Sequence, residues 1–143
     1  MTVGQVLLQK GEEVYWVPPK ATVYEALRKM AEHDIGALLV LEGERLLGIF
    51  SERDYARKPV LMGRFSRDTL VHEVMTENPI TATRSTPLSE AMRLMTEHRV
   101  RHLPVVEEGK VLGVISIGDV VKAIMGEQGV LIQELSRYVT ENR

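Results

Sequence analysis

The stretch KATVYEALRKMAEHDIGALLVLEGERLLGIFSERDYARK (Lys20–Lys58) returns 65 residues later, without a gap, as STPLSEAMRLMTEHRVRHLPVVEEGKVLGVISIGDVVKA (Ser85–Ala123). Thirteen of its 39 positions are identical, among them Glu25/Glu90, Met30/Met95, His33/His98, Gly48/Gly113, Ser51/Ser116 and Asp54/Asp119, well beyond chance for unrelated segments. Upstream, Val6-Leu7 matches Val74-Met75 only at a shift of 68, so the first copy carries three extra residues. The chain is a unit of about 60 residues used twice.

Each copy predicts the same order of elements. Glu13–Val17 and Pro79–Thr83 are short β-branched or aromatic runs that suit a strand. A helix follows each: Thr22-Val-Tyr-Glu25 spells a capping box, and Thr86 followed by Pro87 reads as N-cap and first helical residue. Val23, Leu27 and Met30, like Leu88, Met92 and Met95, recur at helical spacing as a buried stripe. Strands at Ala37–Leu41 and Leu46–Phe50, and at Leu103–Val106 and Val111–Ile115, flank Gly-containing turns, and a second helix begins at Ser51 or Ser116. The unit is β-α-β-β-α, and the fold class is α+β. One unit leaves a sheet face wet, so two copies are expected to share a core as a pseudo-twofold pair. The expected division is residues 1–60 for the first motif, 61–69 for a connector, 70–126 for the second motif, and 127–143 for a last helix with Leu131, Leu135 and Tyr138 near one face.

Composition narrows what such a fold can do. The 143 residues are 44% hydrophobic and 27% charged, which is globular composition, and the net charge of −2 gives no overall field towards nucleic acid or an acidic membrane. With no Cys, disulfides, thiolate metal sites and thiol chemistry are excluded. No run approaches the roughly 20 apolar residues of a membrane span, so a cytoplasmic location is the expectation.

Gly48-Ile-Phe-Ser-Glu-Arg-Asp54 and Gly113-Val-Ile-Ser-Ile-Gly-Asp119 place the same G-x-x-S-x-x-D pattern where a buried strand hands over to a helix. As a purely structural feature, Ser-x-x-Asp caps a helix and puts an acid in its first turn. The same groups also suit a ligand: free N–H groups and a hydroxyl for phosphate, a carboxylate for the two hydroxyls of a ribose, and a glycine that lets a ligand near the backbone. Two such places on two halves give two nucleotide-sized clefts.

The doubled unit, the helix entry at Pro18–Ala26, the run Arg101-His-Leu-Pro-Val105 and the twin G-x-x-S-x-x-D endings resemble a tandem pair of cystathionine-β-synthase (CBS) domains, a Bateman module, and the stand-alone members with no attached enzyme. The resemblance implies a sensor of adenine nucleotides such as AMP, ADP, ATP, NAD or S-adenosylmethionine, assembled as a homodimer and read by another, regulated protein. By position it implies that Asp54 and Asp119 hold ribose hydroxyls, that Ser51 and Ser116 contact phosphate, and that Ile80-Thr81 and His102-Leu103-Pro104 wall the adenine. The second copy keeps Pro104 where the first has Leu39, which makes the second site the better match. Arg53 and Lys58, with Arg57, form either a solvated basic face or a counter-charge for a polyphosphate.

Neither catalysis nor a bound metal or other cofactor is expected. Ser116 does not sit in a G-x-S-x-G elbow, and no sequence sign pairs it with a His. His33 and His98 fall at helix C-termini, where an imidazolium suits the dipole, while His72 and His102 have no second ligand at helical spacing. The rival to a sensor is an interaction module whose clefts stay empty.

Overall fold

The computed structural model describes residues 1–11 and 13–126, so the helix expected within 127–143 lies outside the described residues. In order the elements are α1 (Val3–Lys10), β1 (Trp16–Val17), α2 (Val23–His33), β2 (Ala37–Glu42), β3 (Arg45–Ser51), α3 (Glu52–Met62), α4 (Val71–Val74), β4 (Thr76–Glu77), α5 (Leu88–His98), β5 (His102–Glu107) and β6 (Lys110–Ser116). Residues 117–126 are helical as well and form α6. The architecture is α+β with two equivalent motifs, and the duplication extends to backbone detail. Asp34 (φ 51°) and Arg99 (φ 54°) end α2 and α5 in the same left-handed conformation. The hairpins β2–β3 and β5–β6 carry the same irregularity, at Val40/Leu41 and Val105/Val106.

Three expectations change. The strand expected at Glu13–Val17 forms only over Trp16–Val17. Pro79–Thr83 does not form a strand; it makes one bridge, with Ala82 N–H donating to the Pro104 carbonyl (2.9 Å) and the Ala82 carbonyl accepting from Val106 N–H (2.9 Å). A proline at its start and a turn closing at Thr83, whose carbonyl accepts from Thr86 N–H (3.2 Å), leave no length for a ladder. Thr86 does not cap α5 either. Its hydroxyl accepts from the Thr83 amide (3.0 Å), Pro87 occupies the cap position, and the first helical amide, Leu88 N–H, is satisfied by the Met1 carbonyl (3.1 Å). The Thr22 capping box forms as read, Thr22 accepting from Glu25 N–H at 3.1 Å.

The lead helices α1 and α4, which the β-α-β-β-α reading lacks, each cross to the opposite copy. Val3 N–H donates to the Thr86 carbonyl (2.8 Å) and Gly4 N–H to the Arg84 carbonyl (2.9 Å), so α1 lies on the second copy; Val23 N–H donates to Thr69 and Val71 N–H to Ala21 (both 2.8 Å), so α4 lies on the first. Burial follows the crossing. Val3, Val6 and Leu7 complete the core around Leu103, Val105 and Ile115, while Val71 and Val74 complete that around Met30 and Phe50. A third cluster, Leu39, Leu41 and Ile49 against Val111 and Val114, joins the halves, so the expected shared core exists.

Gly48 and Gly113 owe their identity to this packing. A Cβ on Gly48 would meet Met75 Sδ at 2.6 Å and the Thr76 carbonyl at 2.7 Å, and one on Gly113 would meet Leu7 Cδ2 at 2.9 Å. The glycines give room to the crossed segments, where the sequence reading had them admit a ligand.

Candidate functional site

Both Ser-x-x-Asp segments fold as reciprocal caps. Asp54 Oδ2 accepts from Ser51 N–H (2.9 Å) and Ser51 Oγ–H (3.1 Å), while Ser51 Oγ accepts from Asp54 N–H (3.2 Å). Asp119 Oδ2 accepts from Ser116 N–H (2.9 Å), and Ser116 Oγ from Asp119 N–H (3.1 Å). The caps use one carboxylate oxygen each. Asp54 Oδ1 instead faces Lys58 Nζ at 3.8 Å.

A cavity of about 1000 Å³ opens beside Asp54, within the range of small-molecule sites. Three segments supply most of it. The end of β3 and the start of α3 supply Ile49, Ser51, Arg53, Asp54, Arg57 and Lys58; β4 and the segment after it supply Thr76, Asn78, Pro79 and Ile80; the turn from α5 into β5 supplies His98–His102. Both sequence copies therefore line one cleft. Five cations (Arg53, Arg57, Lys58, Arg99, Arg101) face two carboxylates (Glu52, Asp54), and Ile49, Pro79, Ile80 and Val100 give it an apolar side. Two cations already hold main-chain carbonyls: Arg53 Nη1 donates to Arg99 (3.2 Å), and Lys58 Nζ to Val74 (3.1 Å) and Met75 (3.5 Å).

Of the expected residues, Ser51, Arg53, Asp54, Lys58, Ile80 and His102 line this cleft. Thr81 is exposed outside it, Leu103 is fully buried in the core, and Pro104 is buried in β5 opposite Val114. Ser116 and Asp119 lie apart from it, where Lys10 Nζ donates to Asp119 Oδ2 (2.7 Å) and to the Val114 carbonyl (2.9 Å). The second copy, expected as the better match, thus gives its α5–β5 turn to a cleft that the first copy's carboxylate lines. Sequence reasoning missed Asn78, Arg99, Arg101 and Lys10. Arg101 opens the quoted run Arg101–Val105 and Arg99 lies two residues before it, but nothing in sequence places that run opposite Arg53.

The site electrostatics follow from burial and these partners. Burial acts to raise the Asp119 pKa, but the hydrogen bonds from Lys10 and Ser116 outweigh it and hold the carboxyl below its ordinary range. Burial pushes His102 below the ordinary 6.5, Lys10 and Arg101 add to that, and Asp119 and Asp54 oppose it. A lowered folded-state pKa means that the unfolded chain takes up the His102 proton first. Stability is then full above pH 6.5 and is lost as pH falls below it towards the folded value. Chemical denaturation of the protein at pH 7.5, 6.5 and 5.5 is expected to show falling stability, and His102→Gln is expected to flatten that fall; an unchanged slope in the variant refutes the assignment.

Comparison with known proteins agrees with this arrangement. The CBS domain family model matches residues 3–60 and 71–126. The chain is 40% identical to the CBS domain-containing protein CBSX3, mitochondrial, of Arabidopsis thaliana, over 96% of its own length and 71% of that protein's. A CBS-domain protein structure from Burkholderia ambifaria superposes with a TM-score of 0.86 at 48% identity, covering 90% of this chain and 96% of that one. The CBS domain protein PAE2072 from Pyrobaculum aerophilum, complexed with AMP, superposes with a TM-score of 0.74 at 25% identity, covering 83% and 89%. Two family-model matches, two equivalent motifs and one cleft lined by both agree that the chain is a tandem pair belonging to the CBS-domain family.

Proposed function

We propose that this CBS pair is a regulatory module that binds an adenine nucleotide in the cleft beside Asp54 and signals through the relative placement of its two copies. The observation that carries the reading is the composition of the cleft: a carboxylate with an oxygen turned from its own cap, an apolar side, and an excess of cations, contributed by both copies. Adenine rests against Pro79, Ile80 and Val100, ribose hydroxyls donate to Asp54 Oδ1, and phosphate draws on Arg53, Arg99 and Arg101. The AMP complex of the Pyrobaculum aerophilum relative supports the ligand class. The cation excess favours anionic nucleotides over S-adenosylmethionine, which carries a sulfonium charge.

Arg53 of the first copy holds the Arg99 carbonyl of the second, so a phosphate that recruits Arg53 changes a link between copies. Because the ligand touches both, its differential affinity for their arrangements is what a partner reads. The Ser51 and Ser116 hydroxyls are engaged in caps, in keeping with a module that acts on another chain rather than by catalysis. Homodimer formation belongs to the same reading, since Ile117, Val121 and Met125 expose apolar surface every fourth residue along α6.

A thermal-shift panel of AMP, ADP, ATP, NAD and S-adenosylmethionine tests it. A nucleotide at a hundredfold excess over Kd is expected to raise Tm by about 5 °C or more. No shift with any member favours the interaction module whose clefts stay empty.

A further inference from the structure

The two copies treat their carboxylates differently, and the difference lies in one residue of each crossed segment. At the shift of 68 that aligns Leu7 with Met75, Lys10 corresponds to Asn78. Asn78 lines the open cleft beside Asp54. Lys10, the last residue of α1 before Gly11 (φ 101°) ends the helix, sends its ammonium to Asp119 Oδ2 at 2.7 Å and to the Val114 carbonyl at 2.9 Å. The position in α6 equivalent to Lys58 is Ala123, so in the second copy the amine comes from the far end of the chain instead of from the carboxylate's own helix.

We propose that Lys10 is an internal partner of the second copy's carboxylate, and that by pairing its charge Lys10 restricts tight binding to one nucleotide per chain, at Asp54. This rests on the nucleotide reading above. Asp119 Oδ2 accepts from both Ser116 N–H and Lys10, which leaves a sugar hydroxyl only Oδ1, on a carboxylate whose charge Lys10 already pairs. A second sugar hydroxyl, to reach Oδ2, would have to displace the main-chain donor and undo the helix cap, or displace Lys10 and give up an ion pair for a hydrogen bond to a neutral donor. The Lys10 side chain is 43% exposed and its pair is open to solvent, so the block is a loss of affinity rather than a sealed site. At least a tenfold weaker second site is expected, relieved when the amine is removed.

Calorimetric titration of the full chain with AMP and with ATP decides the matter, using Lys10→Met and Lys10→Gln, each checked for an unchanged circular dichroism spectrum, and Lys10→Met/Asp119→Asn. Wild type is expected to bind one equivalent tightly and any second at least tenfold more weakly, either single variant two of like affinity, and the double variant one tightly. Two equivalents of like affinity in wild type, or one equivalent in folded Lys10 variants, overturns the proposal and leaves the Asp54 site standing. No binding by wild type or variants overturns both the proposal and the nucleotide reading.

Discussion

Removing residues 1–11 is expected to unfold the second sequence copy and leave the first comparatively intact. Val3 is fully buried, Val6 and Leu7 nearly so, and all three belong to the core around Leu103, Val105 and Ile115. Burying three such side chains contributes roughly 5–8 kcal/mol as an upper bound. That is comparable with the whole stability of a small domain, about 5–15 kcal/mol. The truncation also takes the Met1 carbonyl from Leu88 N–H and the α1 amides from the Arg84 and Thr86 carbonyls. Hydrogen exchange should therefore show protection lost in α5, β5 and β6 while α2, β2 and β3 keep theirs, because α4 still completes their core. Loss confined to the first copy would contradict the crossed packing.

The second large effect is on binding. Asp54→Ala is expected to weaken the nucleotide at least tenfold, since a hydrogen bond to a charged group contributes about 1.5–3 kcal/mol. It should also cost about 1 kcal/mol of stability through the lost cap, read as a lower Tm in the absence of ligand. Asp119→Ala removes the equivalent cap but should leave affinity within about twofold, a change of under 0.5 kcal/mol. Calorimetry on the two variants checks the contrast, and equal losses would place the ligand on neither carboxylate in particular.

Much of this arrangement is written locally. The α2 capping box, the paired hairpins and the two Ser-x-x-Asp caps depend on residues three or four apart, so pattern and spacing reveal them. The helix α1 was open to the same reading, because Thr2 and Gln5 form a capping box before Val3, Val6 and Leu7. With only four residues, α4 has no period to read. What stays hidden is long-range. Nothing near Gly113 in sequence announces that Leu7 packs on it, nor does anything near Asp119 announce Lys10, 109 residues away. The cleft is half-legible for that reason. Asp54 follows from the repeat and Ile80 from the family resemblance, whereas Arg99 and Arg101 join it only because the second copy's turn packs against the start of α3.

The most direct measurement is a crystal of the full chain grown with saturating AMP or ATP. The account predicts ligand density with the ribose on Asp54, the base beside Ile80 and Val100, and phosphate near Arg53 and Arg99. A cleft without ligand under those conditions, or a nucleotide bound away from Asp54, would contradict it.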